Sequence, residues 1–205
     1  MMVGVLDYGM GNLSSVTNAL EYLGVENCII HNTGDFNIIS HLIIPGVGSF
    51  AKAMENLNDR GFVDAITSFN SKGLPILGIC LGMQLLAEKG TEPYECAGLG
   101  LIKGSVEIFP ENSVRVPHVG WNGIKLVNDH SILEDVKQTA DFYFVHSYQF
   151  HVDSNSSIIS TTDYGFEFPS IVMNDRQNVV GIQFHPEKSQ KQGLQILTNF
   201  SKTNA

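Results

Sequence analysis

Between Pro75 and Lys89 the chain reads Pro-Ile-Leu-Gly-Ile-Cys-Leu-Gly-Met-Gln-Leu-Leu-Ala-Glu-Lys, and no other stretch restricts the fold as much. Apolar residues lead into Cys80, glycines stand two before and two after it, and an amphipathic run from Met83 to Lys89 follows. The pattern predicts a strand, a tight turn and a helix. Gly78-x-Cys80-x-Gly82 is the sulfur counterpart of the G-x-S-x-G nucleophile elbow, in which small neighbours let the backbone turn sharply and lift the reactive side chain above a sheet. Cys80 then stands at a helix N-terminus, where unpaired N–H groups and the positive end of the dipole favour the nucleophilic thiolate. The other reading of these residues is a small buried hydrophobe in a core strand, since free cysteine is commonly buried. The glycine pair and the following helix favour the elbow.

Around this stretch the first half of the chain alternates strand and helix. Val3–Asp7 is a short apolar strand, followed by the loop Tyr8-Gly9-Met10-Gly11-Asn12. Leu13, Val16, Ala19, Leu20 and Leu23 then share one helical face, closed by Gly24. Gly9-x-Gly11 hints at a phosphate loop but lacks the third glycine and a P-loop lysine, so a turn or a partner-facing role is the better reading. Val25–His31 and His41–Ile44 are further β-rich runs, the second ending in Pro45-Gly46-Val47-Gly48-Ser49-Phe50. Glycines on both sides of Val47 let the backbone swing its N–H groups toward a ligand. If this strand lies beside the Cys80 strand, the segment is a candidate oxyanion strand, because acyl transfer needs donors aimed where negative charge develops. Val63, Ile66 and Phe69 mark a helix before Gly73. Strands separated by helices of this length imply an α/β fold with a largely parallel sheet and ligands at the strand C-terminal ends.

From about residue 98 the pattern changes to shorter β segments: Val106–Phe109, Gly123–Val127, Phe142–Val145 and Ile158–Thr161, read as antiparallel or edge strands. Val116-Pro117-His118-Val119-Gly120-Trp121-Asn122 reads as a polar loop holding the only tryptophan. Composition alone favours a buried ring there; a contact anchor is the sharper reading. No repeat or linker divides the chain, and one domain over residues 1–205 is expected.

The last informative stretch runs from Val179 to Ser189. A strand ends in His185, Pro186 turns the chain, and Glu187 follows. A histidine with a carboxylate two residues on can face a thiol while the acid orients the ring from behind, the base-and-orienter arrangement of a catalytic triad. His146 is the rival base, since it also follows a β run, although no acid is near it in sequence.

Composition narrows the function classes. A net charge of −9 with only 12 Lys+Arg and no basic cluster argues against nucleic acid and for solubility or a basic protein partner. Three cysteines without metal-like spacing, no apolar run near a membrane span and no basic n-region at the start lead us to expect a cytoplasmic protein without a signal peptide.

Gly78–Gln84 together with Phe184-His185-Pro186-Glu187 resembles the class I, triad-type glutamine amidotransferases. Asp7–Leu13, Pro45–Phe50, Pro117–Asn122, Tyr143–Tyr148 and His185–Gln190 extend the resemblance across essentially the whole chain, to the branch whose members work with a (β/α)₈ cyclase subunit. Val119 departs from the methionine usual there. The resemblance implies a flavodoxin-like three-layer α/β sandwich with a mostly parallel central sheet and a small antiparallel extension. It implies Cys80 as nucleophile, His185 as proton carrier and Glu187 as its orienter, with the backbone N–H groups of Val47 and Leu81 as oxyanion donors. Gly46, Gly48, Gln84, Ser147 and Tyr148 match positions that bind glutamine, and Asn12, Trp121, Tyr143 and Lys188 match positions facing the cyclase. The expected activity is hydrolysis of L-glutamine to glutamate and ammonia, the ammonia passing to a heterodimeric cyclase that converts PRFAR to imidazole glycerol phosphate and AICAR in histidine biosynthesis. No cofactor, metal, nucleic acid or membrane is called for. Three other readings stay open: an amidotransferase for another acceptor, such as a paralogue in surface-sugar amidination; a cysteine peptidase or γ-glutamyl hydrolase on a related fold; and a non-catalytic regulatory subunit.

Overall fold

The computed structural model describes residues 1–110 and 114–204. In chain order the strands and helices are β1 (Val3–Leu6), α1 (Leu13–Tyr22), β2 (Asn27–Ile30), β3 (His41–Ile44), α2 (Phe50–Asp59), α3 (Phe62–Ser71), β4 (Ile76–Ile79) and α4 (Leu81–Leu85). There follow β5 (Lys89–Gly90), β6 (Cys96–Ala97), β7 (Gly104–Ile108), β8 (His118–Gly123), β9 (Lys125–Leu126), β10 (Asp141–His146), β11 (Tyr148–Val152), β12 (Ile158–Asp163), β13 (Glu167–Met173), β14 (Val179–Ile182) and α5 (Gln190–Ser201).

Strands β1, β3, β4 and β14 are buried at every position because both faces of their sheet are covered. Alternation then decides which layer each residue enters. Val3, Val5, Ile43, Leu77 and Ile79 join Val16 and Leu20 of α1 and Ile196, Leu197 and Phe200 of α5. Leu6, Leu42, Ile44 and Ile76 pack with α2, α3 and α4 through Phe50, Leu57, Phe62, Ile66 and Leu85. Each fully buried aliphatic or aromatic side chain of this kind contributes about 1.5–3 kcal/mol by leaving water.

The central sheet has the order β2-β1-β3-β4-β14-β13-β12-β9. Its first five strands pair in parallel and the remaining three antiparallel, so the sheet is mixed, with a parallel half that carries the helices. A two-stranded β8–β10 ribbon and a four-stranded sheet, β11-β7-β5-β6, lie outside it. Among the described residues no helix is long and apolar enough to cross a membrane.

Two local expectations are corrected. The predicted amphipathic helix over Met83–Lys89 is the five-residue α4, buried on all sides. It stops because the carbonyls of Leu85, Leu86 and Ala87 accept instead from the N–H groups of Leu99, Leu101, Ile102 and Gly100. So short a helix supplies little macrodipole at Cys80. The segment read as a loop around Trp121 is strand β8, paired in register with β10.

Candidate active site

Parallel pairing of β3, β4 and β14 brings the chain segments that follow each of them to one end of the sheet. Cys80 extends the ladder by one bond, its N–H donating to Ile182 O at 2.8 Å, and then turns sharply with φ 55° and ψ −110°. That left-handed conformation is costly for a residue with a Cβ and is held by its surroundings. Both glycines of the motif are required by close approach: a Cβ on Gly82 would overlap the Ile44 carbonyl, and one on Gly78 would meet the Gly82 backbone.

His185 lies three residues beyond β14, not at its end. Its N–H donates to Tyr143 O at 2.9 Å, and Pro186–Lys188 forms a single 3₁₀ turn. Ser189 fastens that turn, its hydroxyl donating to His185 O at 2.6 Å and accepting from Tyr143 N at 3.0 Å. The turn folds Glu187 back under the ring, with Oε1 2.8 Å from His185 Nδ1 and both side chains almost completely buried. This bond assigns the proton to Nδ1 and leaves Nε2 for the sulfur. Nε2 has no hydrogen-bond partner among the described residues, and the Cys80 thiol itself donates to Val145 O at 3.8 Å. Burial opposes an imidazolium, but Cys80 and Glu187 outweigh it and push His185 up to about 10.

The rival base behaves in the opposite way. His146 Nδ1 lies 2.8 Å from Tyr148 O and Nε2 lies 3.0 Å from His118 Nδ1. Burial brings His146 down to about 3, the Tyr148 carbonyl only partly offsetting it. Both ring nitrogens are occupied, so His146 is fixed as a neutral wall residue.

Cys80 opens into a cavity of about 240 Å³ lined also by Val47, Gly48, Leu81, Gln84, Ser147 and Tyr148, which gathers most of the predicted binding residues in one place. Gly46 does not line it. Its α-carbon packs on the Tyr8 hydroxyl and the Leu81 side chain, leaving no room for a Cβ. Leu81 N–H, one of the two expected oxyanion donors, is already engaged, donating to Gly46 O at 3.3 Å.

Sequence reasoning passed over three side chains here. Gln183 Nε2 lies 3.9 Å from Cys80 Sγ while its Oε1 accepts from Gln84 at 3.1 Å, and Gln84 also reaches Tyr148 O at 3.3 Å. Its place two residues before His185 in extended chain was the available signal. Glu92 lines the cavity as its one carboxylate among the described residues, with a pKa raised by burial against an opposing bond from Phe50 N–H. Tyr8, fully buried, donates from its hydroxyl to Pro45 O at 2.7 Å.

On the outer side Trp121 is 46% exposed, so the buried-ring expectation from composition fails. Trp121 stands opposite Tyr143 across the β8–β10 ladder, their rings 5.9 Å apart, and Lys188 Nζ lies 6.0 Å from the Tyr143 ring centre. Val119, also on β8 and two residues from Trp121, is exposed too. Asn12 caps α1, its side chain accepting from Ser15 N–H at 3.3 Å, and α1 packs against the Pro186–Lys188 turn.

This end of the sheet thus gathers a cysteine on a strained strand-to-helix elbow, a glycine strand and a buried histidine–carboxylate pair. The chain belongs to the class-I glutamine amidotransferase family, which residues 4–203 match. Its fold is similar to that of PurLQS from Thermotoga maritima, with a TM-score of 0.78 at 18% identity over 97% of this chain and 96% of the other. A glutamine amidotransferase structure from the same organism aligns with a TM-score of 0.70 at 14% identity over 99% of both chains. Within the family the chain stands among the HisH subunits of imidazole glycerol phosphate synthase. It is 46% identical over 205 residues to the HisH subunit of Sulfurimonas denitrificans, covering 98% of each chain. It is likewise 46% identical to that of Aquifex aeolicus, covering 98% of this chain and 97% of the relative.

Proposed function

We propose that the chain hydrolyses L-glutamine at Cys80 and delivers the ammonia to a HisF-like cyclase subunit, which uses it to make imidazole glycerol phosphate and AICAR from PRFAR. The observation that carries this reading is the Cys80 elbow opening into an amino-acid-sized cavity, with the buried His185–Glu187 pair on the segment that follows the neighbouring parallel strand β14. Cys80 Sγ attacks the side-chain carbonyl carbon of glutamine, and the thiol proton resides on His185 Nε2. The C–N bond breaks as His185 returns that proton to the leaving nitrogen, giving ammonia and a thioester. Water, deprotonated by the same imidazole, then releases glutamate. Glu187 holds the ring and balances its charge throughout. Glu92 suits the ammonium group of the substrate, and Gly48, Ser147 and Tyr148 its backbone end.

The closed position of Gly46 O supports a gated enzyme. Rotating the Gly46–Val47 peptide withdraws that carbonyl from Leu81 N–H and puts Val47 N–H in its place, so one movement creates both donors. Loss of a single oxyanion donor costs about 10²–10³ in rate. Low activity of the free subunit and strong stimulation by ligand-loaded cyclase are therefore expected. Ammonia released into neutral water is mostly protonated and no longer nucleophilic, which favours direct transfer at an interface around Trp121, Tyr143, Lys188 and Asn12. A cytoplasmic heterodimer is the setting this implies.

Glutamate formation by the purified chain, alone and with a cyclase subunit plus PRFAR, tests the reading. A rise of about 10² or more on adding both is expected, together with its abolition in Cys80→Ala. Equal rates with and without loaded cyclase would refute the gating, and activity surviving in Cys80→Ala would refute the chemistry.

A further inference from the structure

We propose that Tyr8 is a positioning residue for the oxyanion strand, its hydroxyl holding the Pro45 carbonyl so that the Gly46–Val47 peptide turns about a fixed pivot. This rests on the gated glutaminase reading above. Opening the hole needs rotation about the bonds flanking the Gly46–Val47 peptide. The preceding Pro45–Gly46 peptide must stay still while this happens, or the whole strand shifts and Val47 N–H misses its position. Pro45 contributes a fixed φ and has no N–H of its own. Its carbonyl is held across 37 residues of sequence by the buried Tyr8 hydroxyl at 2.7 Å.

Tyr8 is itself braced. Its carbonyl accepts from Asn56 Nδ2 at 3.1 Å, Asp7 Oδ1 accepts from Gly9 N–H at 3.0 Å, and Arg60 donates to Asp7 O. The same turn reaches the strand at two further points: the Met10 methyl lies over Gly48, whose φ is 111°, and Gly11 lies against Pro45. The Asp7–Asn12 turn, which sequence reading left with no role beyond a turn or a partner contact, thus clasps Pro45, Gly46 and Gly48 and ends in the residue that caps α1. Burial and then the Cys80 charge push the Tyr8 hydroxyl far above its usual range, so it stays a donor while the sulfur reacts.

The test is Tyr8→Phe in the complex with the cyclase subunit, measured at saturating PRFAR. Removing the hydroxyl loosens one donor rather than deleting it, so kcat for glutamate formation is expected to fall about tenfold with KM for glutamine within about twofold of wild type. Alkylation of Cys80 by iodoacetamide at the wild-type rate checks that the cleft is intact. Should Tyr8→Phe fail to fold, Met10→Ala loosens the same clasp without touching a buried hydroxyl, with an expected loss of about threefold in kcat and the same unchanged KM. An unchanged kcat, or a loss carried by KM, in a complex whose wild type is stimulated overturns the role of Tyr8 alone. A wild-type complex that PRFAR does not stimulate overturns the gating reading and this proposal with it.

Discussion

Two buried histidines near Cys80 are tuned in opposite directions: His146 lines its cavity, whereas His185 is paired with Glu187 outside that lining. His185 lies between a sulfur and a carboxylate, and it rises to about 10 although burial alone would lower it. His146 lies between the Tyr148 carbonyl and the ring of His118, and it falls to about 3. Burial acts the same way on both, so the neighbours decide. What separates the two rings is therefore not depth but an anionic partner and an unoccupied ring nitrogen, both of which His185 has and His146 lacks.

The sharpest way to break this contrast is Glu187→Gln, which keeps the shape and removes the charge. Glutamate formation in the stimulated complex is expected to drop about 10²–10⁴-fold, as for a triad whose orienter is neutralised, with KM little changed. By contrast, His146→Asn is expected to keep kcat within about tenfold and to lose about 1–3 kcal/mol of stability, because it strips the hydrogen bonds from Tyr148 O and His118 Nδ1. Turnover and urea unfolding of the two variants, measured side by side, would erase the distinction if the losses were alike.

Titration sharpens it further. The raised His185 contributes stability that is fully present below about pH 6.5 and is lost as the pH rises through about 10, because only the folded state keeps that proton in the window. His146 works from the other side: between about pH 6.5 and 3 the unfolded chain binds a proton that the folded chain refuses, so stability falls as the pH drops. Each group contributes a slope of at most about 1.4 kcal/mol per pH unit within its window. Unfolding free energies of wild type and His146→Asn from pH 4 to 9 should therefore converge on the acid side; an unchanged acid slope in the variant would mean another group carries it. Alkylating Cys80 removes one of the two groups that hold His185 up, and the NMR titration midpoint of His185 is expected to fall. The smallest effect is expected from Asn122→Ala, which removes the 2.9 Å partner of His118 Nε2 and costs about 1 kcal/mol with turnover unchanged.

Much of this was readable before any coordinates. The elbow glycines, the helical face of α1 and its closing Gly24, which adopts φ 70°, and the His185–Glu187 spacing are all short-range matters. The α2 helix was also readable and was overlooked, since Phe50, Ala53, Met54 and Leu57 recur at helical spacing and are buried. Strand β13 was harder, because Pro169 inside it argues against a strand; the partner β12 accommodates it with shifts of register beside that point. The length of α4 could not have been read, because the groups that end it come from residues 99–102.

What the sequence determined by itself is whatever neighbours along the chain enforce: a sharp turn that only small residues permit at 78 and 82, and a carboxylate placed under an imidazole by one proline turn. Only the tertiary structure decided which of two buried histidines is charged, that Leu81 N–H is capped by Gly46 O, and that Tyr8 reaches Pro45. The physical reason is range. Backbone sterics act over a few residues and leave a mark in the sequence, whereas charge balance and hydrogen-bond competition in a buried cleft depend on groups that folding alone brings together.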